Sequence, residues 1–205
     1  MAQAFAQHQP LPGYATSPNP SYGQQPIAPR VLHIYHEGLT RRHARILDSD
    51  KSTPLYRIDA NSGGLFSSKP HVKISVASTG AQVGTVTFHS MSSDIDLTIH
   101  NQPIILGKSG FLTSAHEFHS LATGGSLKWK RDGMFSNGDM VCLDHAEQLI
   151  ARFQISNWAI KKEGKFELGP GVDDVLMDEV VTSGVAMVEY RARQRAAGGG
   201  AGAGA

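Results

Sequence analysis

Residues 173–195 read DDVLMDEVVTSGVAMVEYRARQR, from Asp173 to Arg195, and the fold turns on whether this stretch is a helix or a pair of strands. Asp173, Asp174, Asp178 and Glu179 come early and Arg191, Arg193 and Arg195 come late, the order that a helix dipole favours. Glu189 and Arg193 stand four residues apart in the favourable sense. Against a helix, Val175, Val180, Val181, Val185 and Val188 are β-branched, and Gly184 would suit a hairpin turn. Five valines cost a helix about 2–3 kcal/mol relative to alanine. Burying Val175, Leu176, Met177, Val180, Val181, Val185, Met187 and Val188 would contribute ~12 kcal/mol as an upper bound, so burial overrules propensity. A helix is predicted over about 174–193. Its apolar side chains surround the axis instead of forming a stripe, so protein has to enclose it. Between its charged groups it is too short to cross a bilayer, which takes about 20 apolar residues.

The chain before this helix supplies the enclosure. Apolar residues there recur with a period of two between closely spaced turn signals, the pattern of half-buried strands. Strands are predicted at 31–36, 44–48, 55–59, 72–77, 83–89, 95–100, 103–106, 126–130, 140–144, 148–155, 158–161 and 165–168. Reversals are expected at Ser62-Gly63-Gly64, Thr79-Gly80, Asn101-Gln102, Asp132-Gly133, Asn137-Gly138-Asp139 and Glu163-Gly164. A dozen short strands exceed what one flat sheet carries comfortably, and closure removes the edges that template aggregation. The fold class read from the sequence is therefore mainly β, a closed antiparallel barrel of roughly 12 strands around a buried C-terminal helix.

The flanks differ in composition. Residues 1–30 hold six of the ten prolines and, as their only formal side-chain charge, Arg30; such a segment buries too little to offset its ordering entropy and is expected to be a disordered arm. Pro26-Ile27-Ala28-Pro29 has the spacing of a polyproline ligand, so a protein partner for the arm is one expectation. Residues 196–205 contain only Gly and Ala and are expected to be a disordered tail. One domain, 31–195, remains, and a monomer is expected.

Nineteen Lys and Arg balance eighteen Asp and Glu across the 205 residues, which removes any bulk field for nucleic acid and leaves only local patches. One cysteine excludes a disulfide framework and a thiolate zinc cluster. No apolar run approaches a membrane span and no signal-peptide pattern opens the chain, so a cytoplasmic location is expected, with peripheral membrane contact as its extension.

The basic groups are the principal candidates for a ligand. In Leu127-Lys128-Trp129-Lys130-Arg131, strand alternation turns Leu127 and Trp129 to one face and projects Lys128 and Lys130 together from the other. Lys161, Lys162 and Lys165 flank Glu163-Gly164 and form a second concentration of charge. Together with Arg131 these are the candidate anion-binding residues; the simpler reading is that they keep exposed strand faces soluble. Arg41-Arg42-His43-Ala44-Arg45 is a third basic cluster.

Other chemistry is less supported. His116-Glu117-Phe118-His119 lacks the four-residue histidine spacing of the zinc-protease motif, and His33 and His36 would face opposite ways on a strand. Asp94 and Asp96 share a strand face without the loop of a calcium site. Cys142 precedes Asp144 and His145 but has apolar neighbours, and alternation separates it from His145, so it reads as a buried thiol. Gly124-Gly125-Ser126 lacks the lysine of a phosphate loop. No catalytic residue, metal or cofactor is expected; a hydrolytic site at the barrel mouth is the remaining alternative.

The pattern resembles the tubby C-terminal-like superfamily of tubby proteins, phospholipid scramblases and LURP-one-related proteins. The residues carrying the likeness are the hairpin Thr79 to Phe88, the segment Val141 to Phe153, and the closing Asp178 to Tyr190. Leu32-His33-Ile34-Tyr35-His36 and Arg42 to Asp48 look similar to an uncharacterised fungal branch. The resemblance covers about 31–193 and implies a non-enzymatic binding or adaptor domain able to meet phosphoinositides or other anionic lipid. Its alternative is a protein-interaction scaffold working through the Pro-rich arm without lipid.

Overall fold

The computed structural model describes residues 29–38, 42–61, 70–110, 112–133, 138–155 and 162–199. The period-two segments form twelve strands: β1 Arg30–Glu37, β2 His43–Leu47, β3 Pro54–Ala60, β4 Val72–Val76, β5 Gln82–Phe88, β6 Ile95–Ile99, β7 Gln102–Lys108, β8 His116–His119, β9 Ser126–Arg131, β10 Met140–Leu143, β11 Leu149–Ile155 and β12 Lys162–Leu168. Each pairs antiparallel with its neighbour in sequence, and β1 pairs with β12 to close the barrel. An eight-stranded barrel is filled by its own side chains, whereas twelve strands leave a bore about one helix wide, ~10–12 Å. Helix α1, Asp174–Gly199, fills it.

The helix starts where Asp173 accepts the Leu176 N–H on its Oδ1 at 2.8 Å, a side-chain cap for an otherwise orphaned donor. Every residue from Glu179 to Met187 is buried, which on a helix means burial on all sides. Its partners lie around the whole barrel. Tyr56 on β3 donates to Asp178 Oδ1 at 2.6 Å, Trp129 on β9 donates from Nε1 to Ser183 Oγ at 2.9 Å, and Tyr190 meets the rings of Phe88 on β5 and His116 on β8. Glu179, 1% exposed, accepts from the Ser120 hydroxyl and from the backbone N–H groups of Leu121 and Ala122, so the β8–β9 turn closes over a buried carboxylate and satisfies it.

Several expectations need correction. Arg30 belongs to β1, not to the arm, because its guanidinium is held by Asp48 at 2.7 Å and its backbone pairs with Leu168. The helix continues through Ala196 to Gly199, so residues 196–199 belong to it and not to the expected tail. Val175 is 51% exposed while Leu176 and Met177 beside it are buried, so the first helical turn is enclosed on one side only. Glu163-Gly164 is no turn: Gly164 lies within β12 between Ile34 and Ile155, where a Cβ would collide with the Gln154 carbonyl and the Phe153 ring. The β6–β7 reversal is His100-Asn101, both residues with positive φ (48° and 63°), one position earlier than expected. β8 was not anticipated. The strand expected at 158–161, the turn at 62–64, Arg41, Lys161, residues 1–28 of the arm and residues 200–205 of the tail lie outside the described residues.

Candidate functional site

Register decides which basic side chains are free. Leu127 and Trp129 are fully buried and Lys128 and Lys130 project outward, as alternation requires. Lys130 pairs with Val141 across β10, and the β10–β11 turn brings Glu147 over it. Glu147 receives the Lys130 ammonium at 2.8 Å and lies 3.8 Å from that of Lys128, and the Lys130 contact holds its carboxyl below the usual range. Lys165 is likewise bound to Glu167 at 2.6 Å. In the third basic cluster Arg45 binds Glu37 at 2.6 Å and His43 binds Asp59 at 2.7 Å. Exposed pairs of this kind stabilise by only about 0–1 kcal/mol, but they quench the local field an anion would feel. Glu147 therefore offsets one of the two positive charges of the anticipated two-lysine patch. Lys162 opens β12 and Lys161 lies outside the described residues, so of the second concentration of charge only the Lys165 side chain is placed.

Arg131 behaves differently. It shares the inward parity of Leu127 and Trp129, but it is the last residue of β9, so its side chain stands at the barrel mouth from which the helix emerges. There it meets Arg191 and Arg195, one helical turn apart on the same helix face. With Ser114 and Gln194 the three arginines line an open hollow of about 310 Å³. Among the described residues none of the three forms an ion pair. Arg191 donates from Nη1 to the Gly138 carbonyl at 3.3 Å, while its Nη2 is buried without a partner. Burial, and then the charges of Arg131 and Arg195, push the Arg191 guanidinium down to about 10, so it remains a cation at neutral pH.

The same end of the barrel carries exposed apolar side chains. Met91, between β5 and β6, is 99% exposed and Leu112, between β7 and β8, is 96% exposed. The loops that bear them are tied together, because the His116 ring meets the Ser93 carbonyl through Nε2 at 3.0 Å and the Lys108 N–H reaches Asp94 Oδ1 at 3.4 Å.

The remaining candidates have structural roles. Cys142 lies inside the barrel with its thiol pushed up by burial, and Asp144 is spent on the β10–β11 turn, accepting from the N–H groups of Ala146 and Gln148. His116 and Phe118 face the core, and Asp96 pairs with His89 at 2.9 Å. Among the described residues no three His, Cys, Asp or Glu side chains converge as a metal site, and no helix is long and apolar enough to span a membrane.

Sequence reasoning passed over Arg191, Arg195, Met91 and Leu112. The arginines were explained by the helix dipole, yet the helix runs on to Gly199, so Arg191 sits about two turns before its end, where the dipole acts weakly. Their like-charge i, i+4 spacing was the available signal. Comparison with family models, curated proteins and solved structures finds no match to this chain.

Proposed function

We propose that this chain is a non-enzymatic binding domain of the tubby C-terminal-like type that docks peripherally on anionic phospholipid through the barrel mouth where the helix emerges. A closed twelve-stranded barrel around its C-terminal helix supports the likeness in architecture. The observation that carries the functional reading is the coincidence, at one end of the molecule, of unpaired arginines with the exposed Met91 and Leu112. Apolar loop tips that enter the headgroup layer and cations that meet its phosphates are the two forces that hold a peripheral protein on a membrane. Each arginine near a charged surface contributes about 1 kcal/mol, roughly fivefold in affinity, and this share is screened by salt.

Flotation with vesicles tests the reading. The full chain is expected to float with phosphatidylcholine vesicles containing phosphatidylserine, not with phosphatidylcholine alone, and to be released by salt. Met91→Ser with Leu112→Ser should weaken binding severalfold, and by more than Lys128→Gln with Lys130→Gln, since that pair lies on the outer wall with Glu147 offsetting one of its two charges. No flotation, or a loss confined to the lysine variant, would overturn it.

A further inference from the structure

The mouth arginines are costly to assemble. Like charges four apart weaken a helix by a few tenths of a kcal/mol, and Arg131 brings a third cation to the same hollow from a different element. The fold does not need all three: α1 is secured by its burial, by the Asp173 cap and by the hydrogen bonds of Tyr56 and Trp129, and of the mouth arginines Arg191 alone adds a bond, to the Gly138 carbonyl. Among the described residues no carboxylate forms an ion pair with the three guanidinium groups, and the adjacent Asp132 is paired with Arg152 at 2.9 Å. Among the described residues Arg191 Nη2 is buried without an acceptor, so the guanidinium keeps a hydrogen-bonding capacity that the fold does not use. The opening of about 310 Å³ exceeds the ~30 Å³ share of a water molecule by an order of magnitude, leaving room for a tetrahedral anion. Its neutral lining residues, Ser114 and Gln194, carry further donors, although the Gln194 side chain also bonds Tyr190.

We propose that this hollow is a binding site for a phosphate-class oxyanion, with the planar forks of Arg131, Arg191 and Arg195 as its cationic ligands and Ser114 and Gln194 as its neutral donors. Guanidinium forks match oxyanion oxygens two at a time, and three forks around one hollow suit the several oxygens of a phosphate better than the two of a carboxylate or the single atom of a halide. The phosphate can belong to a lipid headgroup or to a small soluble molecule. Only the first source rests on the docking reading above.

The test titrates inorganic phosphate into the 15N-labelled full chain at constant ionic strength, following the arginine side-chain signals by NMR and the thermal midpoint. Saturable shifts of the arginine signals and a rise in Tm are expected with phosphate and not with chloride. Arg191→Gln and Arg195→Gln should each weaken binding at least tenfold, while Arg45→Gln, on the outer wall, should not. If Arg191→Gln fails to fold, the exposed Arg131→Gln takes its place. Vesicles then separate the sources. A preference for phosphatidic acid over phosphatidylserine at equal surface charge, reversed by inorganic phosphate, assigns the site to a lipid phosphomonoester. Equal binding to both vesicles with saturable free phosphate assigns it to a soluble ligand. Shifts that only track ionic strength, together with no preference between the lipids, would overturn the site even where phosphatidylserine vesicles still bind.

Discussion

At the scale of single residues, His71 shows how burial sets chemistry. It is 2% exposed, and its Nδ1 accepts the Phe88 backbone N–H at 3.1 Å, a bond available only to the neutral ring. Burial, then the charges of Arg193 and His89, hold the ring below its ordinary pKa. His116 is shifted the same way, mainly by burial. A histidine depressed in the fold takes up its proton more readily when unfolded, so stability is complete above the unfolded value of about 6.5 and falls as the pH drops below it. The thermal midpoint is therefore expected to decline between about pH 7.5 and 5.5. His71→Asn, whose carbonyl can replace the Nδ1 acceptor, should make that decline shallower, with His116 carrying the remainder. A decline of the same slope in the variant would remove His71 from the account.

Among the elements, the helix is where local preference and tertiary demand diverge most. Valines and a central glycine disfavour it by propensity, yet the barrel needs them. A Cβ at Gly184 would lie 2.5 Å from the Phe166 ring and 3.0 Å from that of Trp129, both fully buried. Gly184→Ala therefore sets about 1 kcal/mol of improved helix propensity against an overpacking cost of about 1–3 kcal/mol or more. Because neither ring can retreat, the variant is expected to be less stable by about 1–2 kcal/mol in denaturant unfolding. A stabilised variant would mean that the rings do not press on the helix as the structure has them. β8 shows the reverse case: four residues rich in histidine and glutamate hardly announce a strand. It exists because His116 and Phe118 reach Tyr190 and the core while β7 and β9 supply backbone partners.

For the whole molecule, closure and filling are one event. The strands meet in sequence order, so each hairpin forms locally, but β1 and β12 can pair only when the chain has come full circle. Their pairing leaves a bore that must be occupied. Removing residues 173–199 exposes the inward side chains of all twelve strands, and the truncated chain is expected to lose its cooperative thermal transition. A normal melting curve would show that the barrel stands without its helix. The alternation of inward apolar and outward polar residues was legible along nearly every strand, and with it the barrel class. The anticipated lysine patch was legible only as two outward side chains, since Lys130 and Glu147 are seventeen residues apart and meet through the register of β9, β10 and β11.

The sequence by itself determined what depends on near neighbours: the period of two, reversals such as Thr79-Gly80, and a helix apolar on every side that has to be enclosed. These are local because backbone geometry repeats every two or 3.6 residues. Only the tertiary structure decided which charges remain available to a ligand. Charge availability depends on what lies across the sheet or across the bore: the register of β9, β10 and β11 set Glu147 against Lys128 and Lys130, and the enclosed helix brought Arg191 and Arg195 beside Arg131.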